Sequence, residues 1–244
     1  MTSRLSILLF DLDGTLVEMR RRGLELRFML RACRRFAPAI RPWHFRRAFW
    51  QAAERLQVHG TGKTNYQVFL ETLGTHSRVD LPALDRIVRE FLARDFPRLS
   101  DRFVPIPGGR ETLELARRLG YRLVLATNPV WPLDAVHTRL RAGGLDDFTF
   151  DFISHSEVMT SCKPDPRYYR ELLARLHARG GECLMIGNDP RKDLPAKDAG
   201  IRTFLIGAHP ADPRMDASGT LEDLRARITE ERERAWPQDR RSSV

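Results

Sequence analysis

The chain is poor in cysteine and lysine, and it has no long hydrophobic run. Its three cysteines, Cys33, Cys162 and Cys183, are odd in number and unrelated in spacing. That excludes a disulfide framework and offers no zinc-binding pair, so small buried fillers are their expected role. No stretch approaches the roughly 20 apolar residues that a membrane span needs. The apolar segment from Leu5 to Leu9 is interrupted by Ser6 and is too short for a secretory signal, so a cytoplasmic protein is expected. Lysine occurs only at Lys63, Lys163, Lys192 and Lys197, in a chain that otherwise uses arginine. Each of the four therefore stands out. What remains is ordinary: 244 residues with 42% hydrophobic and 30% charged residues have room for one large domain, or for a core with an insertion.

The net charge of +9 is local. Residues 17–104 hold 18 basic and 9 acidic side chains, whereas the remainder balances at 23 of each. Ten of the arginines fall within residues 20–47, against Glu25 alone. A basic chain of this kind does not by itself read as a nucleic-acid binder.

The stretch Ile7-Leu8-Leu9-Phe10-Asp11-Leu12-Asp13-Gly14-Thr15-Leu16 is the organising element. Four large apolar residues read as a buried parallel strand. Asp11 and Asp13, two residues apart at its carboxyl end, can converge on one point. Clustered carboxylates of this kind need a cation or a shared proton.

From Val17 to Val104 the pattern is helical, with little strand character. Helices are expected over Leu24–Phe36, over a segment carrying Phe45, Ala48, Phe49, Ala52, Ala53 and Leu56, over Asn65–Leu73, and over Leu81–Phe96. Pro38, Pro42 and His59-Gly60-Thr61-Gly62 punctuate them. After Pro105-Ile106-Pro107-Gly108-Gly109 helices and strands alternate. Strands are expected at Tyr121–Ala126, Phe150–Ser154, Cys183–Ile186 and Thr203–Ile206. The helices between them fall at Glu111–Leu119, Leu133–Ala142, Pro166–His177 and Leu194–Ala199. This alternation argues for a parallel sheet covered on both faces. Residues 221–234 read as a charged helix, and 235–244 as a disordered tail.

Polar clusters follow several of these strands, where open α/β sheets place their ligand crevice. Thr127-Asn128 offers a hydroxyl and an amide, although Asn-Pro is also a common turn pair. Lys163 stands in Ser161-Cys162-Lys163-Pro164-Asp165-Pro166, where Asp165 is placed to cap the following helix and Pro166 to open it. Gly187-Asn188-Asp189-Pro190-Arg191-Lys192-Asp193 again puts two carboxylates after an apolar strand; the plain alternative is a turn in which Asp193 only caps a helix.

Taken in order, Asp11-Leu12-Asp13-Gly14-Thr15, Thr127-Asn128, Lys163-Pro164-Asp165-Pro166 and Gly187-Asn188-Asp189 with Asp193 resemble the four motifs of the haloacid dehalogenase-like superfamily. The resemblance covers about residues 5–16 and 105–207, with a helical insertion between the first two motifs. It implies a Rossmann-like α/β fold made of a core, residues 1–16 and 105–234, and an all-helical cap of the C1 type, residues 17–104. It further implies a Mg2+-dependent phosphatase. In such an enzyme Asp11 would be the nucleophile, and Asp13 the general acid and base. Thr127, Asn128 and Lys163 would hold the phosphate. Mg2+ would be held by Asp11, by Asp13 through its carbonyl, and by Asp189, with Asp193 in support. Gly-Asn-Asp replaces the more frequent Gly-Asp pair, which puts Asp189 rather than position 188 as the expected ligand. Physical chemistry agrees: a carboxylate approaches a phosphate dianion only where positive charge screens the repulsion, and an oxygen-only site suits Mg2+.

The string Gly60-Thr61-Gly62-Lys63-Thr64 looks like the end of a nucleotide-binding P-loop, but Gln57 occupies a position that needs glycine and the preceding residues read as helix. A cap loop that lowers Lys63 toward the substrate is the better expectation. The expected partner is a small phosphorylated metabolite, with neither a membrane nor a nucleic-acid partner. Two other functions stay open: a phosphomutase of the same superfamily, and a nucleic-acid-binding or regulatory module built on the basic cap. Dehalogenation is disfavoured, because dehalogenating relatives lack a carboxylate at the position of Asp13.

Overall fold

The computed structural model describes residues 4–58 and 60–239; His59 and the last five residues of the expected tail lie outside it. Strand β1 (Ile7–Phe10) forms the centre of a six-stranded parallel sheet. On one side it pairs with β4 (Arg122–Leu125), which carries β5 (Phe152–Ile153). On the other it pairs with β6 (Cys183–Gly187), followed by β7 (Arg202–Ile206) and β8 (Ala217–Gly219). The sheet order is therefore β5-β4-β1-β6-β7-β8.

All four β1 residues are buried because both faces of the sheet are covered. Leu8 and Phe10 point into one apolar cluster, together with Leu113 and Ala116 of α5 (Gly109–Arg118) and Val136 and Leu140 of α6 (Leu133–Ala142). Ile7 and Leu9 point into the other, against Tyr168, Tyr169 and Leu172 of α7 (Pro166–Leu176). This period-2 division is what a strand dictates. Each large side chain so buried contributes roughly 1.5–3 kcal/mol. The expected parallel α/β architecture is the one observed.

Between β1 and β4 the chain leaves and re-enters through a two-stranded antiparallel ribbon, β2 (Val17–Met19) and β3 (Phe103–Pro105). The sequence pattern gave no sign of this ribbon, since three residues are too few to show alternation. It carries helices α1 (Leu24–Phe36), α2 (Pro42–Val58), α3 (Asn65–Gly74) and α4 (Leu81–Glu90). Thr64 and Gln67 form a reciprocal capping box at the start of α3, and the Asp80 side chain caps α4. The helix expected to run on to Phe96 changes form after Glu90. A π turn spans Phe91–Asp95 and a 3-10 segment spans Phe96–Arg102. Pro97, without an N–H, sits where a regular helix would need one.

Asn65 fastens this helical segment to the sheet. Its fully buried amide donates to the carbonyls of Pro129 at 3.0 Å and Ser161 at 3.3 Å, and its main-chain N–H donates to Met159. The last helix, α9 (Leu221–Asp239), runs past residue 234, so the expected tail is helical as far as Asp239. Cys162 and Cys183 are buried free thiols, and Cys33 is a partly buried one. Among the described residues no helix is long and apolar enough to cross a membrane.

Candidate active site

Three loops from distant parts of the sequence meet at the carboxyl end of the sheet. The first begins where β1 stops. Asp11 is held by its N–H to the Ile186 carbonyl at 2.8 Å, and the chain then turns so that Gly14 N–H reaches the Val17 carbonyl at 2.7 Å. Gly14 has φ of +87°, and a Cβ there would lie 2.3 Å from the Asn188 amide nitrogen. Glycine is required at this position on both counts.

The second loop delivers Lys163. Asp165 accepts from Arg167 N–H at 2.8 Å and so caps α7, with Pro166 opening it. Immediately before this fixed start, Lys163 is fully buried, and its Nζ donates to Asp11 Oδ1 at 3.0 Å and to Asp193 Oδ1 at 2.7 Å. Lys163 thus points back toward the carboxyl end of β1. Asn128, after β4, accepts from Lys163 N–H through its side-chain oxygen at 3.1 Å. The neighbouring Thr127 is buried, and its carbonyl accepts from Ser154 Oγ at 2.6 Å and from Tyr168 at 3.1 Å.

The third loop follows β6. Asp193 is buried, and its second oxygen accepts from the N–H groups of Asn188 at 3.1 Å and Asp189 at 3.0 Å. It is a structural anchor for Lys163 and for its own loop, and its side chain does not cap the next helical turn. A Cβ on Gly187 would lie 2.0 Å from that carboxylate, so the loop closes only around glycine.

Electrostatics here are severe. Burial raises the Asp11 carboxyl to about 7; Lys163 opposes the rise, while Asp193 and Asp13 add to it. Lys163 is desolvated too, yet the two carboxylates hold it well above its ordinary value, so it stays charged.

Two features escaped the sequence reading. Arg139, buried in α6, donates to Asp13 Oδ2 at 2.5 Å and to the Ala135 carbonyl at 3.2 Å. It falls in the apolar stripe of Ala135, Val136 and Leu140, and a charged residue in a buried stripe was the available signal. The second concerns the third loop. Asp189, expected as a metal ligand, caps helix α8 (Pro190–Asp193) by accepting from Arg191 N–H at 3.0 Å, and pairs with Lys192 at 3.2 Å. The side chain that meets the first loop is Asn188, whose oxygen lies 3.4 Å from Thr15 Oγ1. The physical reason is local: a residue preceding a helix that starts with proline turns its carboxylate onto the free N–H groups.

Among the described residues no three acidic, His or Cys side chains gather around one point. Lys63, expected over the site, is half exposed and bonded to Glu71 at 2.6 Å.

The model of the haloacid dehalogenase-like hydrolase family matches residues 5–200, and the chain belongs to that family. It is 34% identical over 137 residues to a phosphoserine phosphatase of Thermus thermophilus, a match covering 55% of this chain and 54% of that protein. Thus it aligns with only about half the length of that relative. It is 27% identical over 211 residues to a glyceraldehyde 3-phosphate phosphatase of Pyrococcus abyssi, covering 82% and 80%. Among solved structures, a 2-haloacid dehalogenase from Pseudomonas syringae superposes with a TM-score of 0.61 at 21% identity, covering 93% of this chain and 99% of that one. A phosphatase from Thermococcus onnurineus gives 0.58, also at 21%, covering 92% and 98%. At these identities the structures share the fold.

Proposed function

We propose that the protein is a Mg2+-dependent phosphatase acting on a small phosphorylated metabolite, with the helical segment 17–104 as its cap. One observation carries the reading: Lys163 Nζ reaches Asp11 Oδ1 at 3.0 Å at the end of the central strand, in the order and spacing of the family's motifs. Phosphatase relatives support it.

Asp11 attacks phosphorus while the bond to the ester oxygen breaks, and an aspartyl phosphate forms. Asp13 gives its proton to the departing alcohol. It then takes a proton from water as that water's oxygen attacks the same phosphorus, releasing inorganic phosphate and restoring Asp11. Thr127 and Asn128 orient phosphate oxygens, and Lys163 offsets the charge that Asp11 and the phosphate bring together. Arg139 fixes the rotamer of Asp13 through its 2.5 Å bond. Asp11, the Asp13 carbonyl and Asn188 fit an oxygen-preferring cation, with Asp189 beside them as the competing oxygen. When bound, Mg2+ supplies charge that lowers the repulsion between carboxylate and phosphate.

The test is release of inorganic phosphate from p-nitrophenyl phosphate, with Mg2+ and with EDTA, in wild type and Asp11→Asn. Turnover should require the metal and fall by several orders of magnitude in the variant. Activity within a few-fold of wild type in Asp11→Asn would sink the assignment. Phosphate appearing on a second hydroxyl instead of free in solution would identify a phosphomutase.

A further inference from the structure

A cavity of about 560 Å3 lies between the helical segment and the sheet. Its wall is aromatic: Phe28, Phe36, Phe45, Phe49 and Trp50 from α1 and α2 meet Trp131, which follows the second motif. Phe28 stacks edge-on against Trp131 at 5.5 Å and tilts against Phe49 at 5.2 Å. The cavity reaches the catalytic loops through Asn128, Arg139 and Lys192. Of the ten arginines in residues 20–47 only Arg21 lines it, together with Glu25. Arg27 and Arg35 instead pair with Asp101 and with Glu90 and Asp95, and Lys63 is not on the wall.

Of the buried polar atoms without a protein partner among the described residues, Arg139 Nη2 and Ser156 Oγ belong to residues that line the cavity. Buried polar atoms are ordinarily satisfied, so the acceptor these groups lack is what the phosphate end of an ester would supply, leaving the apolar wall to the rest of the molecule. The size falls within the range of small-molecule sites, and an apolar wall with a few convergent polar groups is their usual make-up.

We propose that the leaving group is apolar, and that the substrate is the phosphate monoester of an aromatic or long aliphatic alcohol seated in this cavity. The proposal rests on the phosphatase reading and names its substrate class. A charged leaving group would have to exchange water for phenyl rings, with Arg21 and Glu25 offsetting one another. An apolar body gains from the same surface.

The experiment compares kcat/KM for ethyl, hexyl and benzyl phosphate, glycerol 3-phosphate and phosphoserine. All are esters of primary alcohols, so leaving-group chemistry is nearly constant. Each buried methylene is worth roughly fourfold, so hexyl should exceed ethyl on the order of a hundredfold, with benzyl comparable and the two polar esters below ethyl. Ala53→Phe, on the cavity wall and outside the catalytic loops, should remove most of the gain for hexyl and benzyl and leave ethyl unchanged. A flat series, or a preference for the polar esters, would overturn the proposal while leaving a working phosphatase. If no ester turns over, the phosphatase reading fails, and the cavity is judged separately by fluorescence of Trp50 and Trp131 on adding hexylphosphonate or ethylphosphonate. Tighter hexylphosphonate binding supports an apolar ligand, and equal binding overturns it.

Discussion

Asp11 should make the metal-free protein less stable as the solution becomes less acidic, and Asp11→Asn should abolish that trend. The carboxyl is raised from 3.8 to about 7, first by burial and then by Asp193 and Asp13, against the attraction of Lys163. Below 3.8 the folded and unfolded chains both hold the proton. Between 3.8 and about 7 the unfolded chain has released it and the folded chain has not, so stability falls as pH rises through this window. Above it both are ionised, and the loss is complete and constant. The gap corresponds to at most about 4 kcal/mol. Asparagine keeps the shape and an oxygen for Lys163, which retains Asp193 as its counter-ion at 2.7 Å. Urea unfolding in EDTA at pH 5 and pH 8 measures the effect. Wild type should lose roughly 2–4 kcal/mol relative to the variant between the two. Added Mg2+ should then recover much of it in wild type only, because a ligand of the folded state stabilises it by mass action. Parallel pH curves for the two proteins would refute the electrostatic account of Asp11.

Lys163→Met removes the shared counter-ion of Asp11 and Asp193, and leaving buried charge unpaired costs about 3–5 kcal/mol. Its melting temperature should drop by roughly 10 °C at pH 8 and by less at pH 5, where Asp11 takes up a proton; equal drops would count against the pairing. For the metal, Asn188→Ala should weaken Mg2+ binding at least about tenfold, and Asp189→Asn should stay within a few-fold, both read by titration calorimetry. The opposite ranking would return the ligand role to Asp189.

Much of the core was legible because its signals are local. The four apolar residues of β1, the prolines and Asp165 framing Lys163, and the glycines that end helices each act within a few positions of themselves. Helices α1 and α6 begin and end at the residues that the apolar pattern assigned. Where the sequence reading failed, the deciding partner lies far away. Strands β2 and β3 exist because residues 17–19 meet residues 103–105, and neither triplet announces a strand alone. Arg139 looks like Arg141 in the sequence, yet one is buried against Asp13 and the other pairs with Asp146 on the surface. Asp189 and Asn188 were separated by side-chain type, where carboxylate looked the better ligand. In the structure Pro190 opens a helix whose N–H groups also engage Asp189, while the Asn188 side chain meets the first loop.

The distribution of charge separates the basic excess of the insertion from the cations of the site. The cations paired with Asp11 and Asp13 are Lys163 and Arg139, and both come from the part of the chain whose charges balance. The basic excess lies in the helical segment. There Arg27 and Arg35 are held by acids of the same segment, and Arg34, Arg46 and Arg47 are exposed to solvent. An arginine on a solvated helix face costs little and supplies little, whereas one buried beside a carboxylate acts in a medium where charge is weakly screened. Proximity and burial, rather than number, decide which charges bear on Asp11 and Asp13. The insertion's contribution inside the cavity is its rings, so on the proposed reading the sheet ends would handle the anion and the helices what is attached to it.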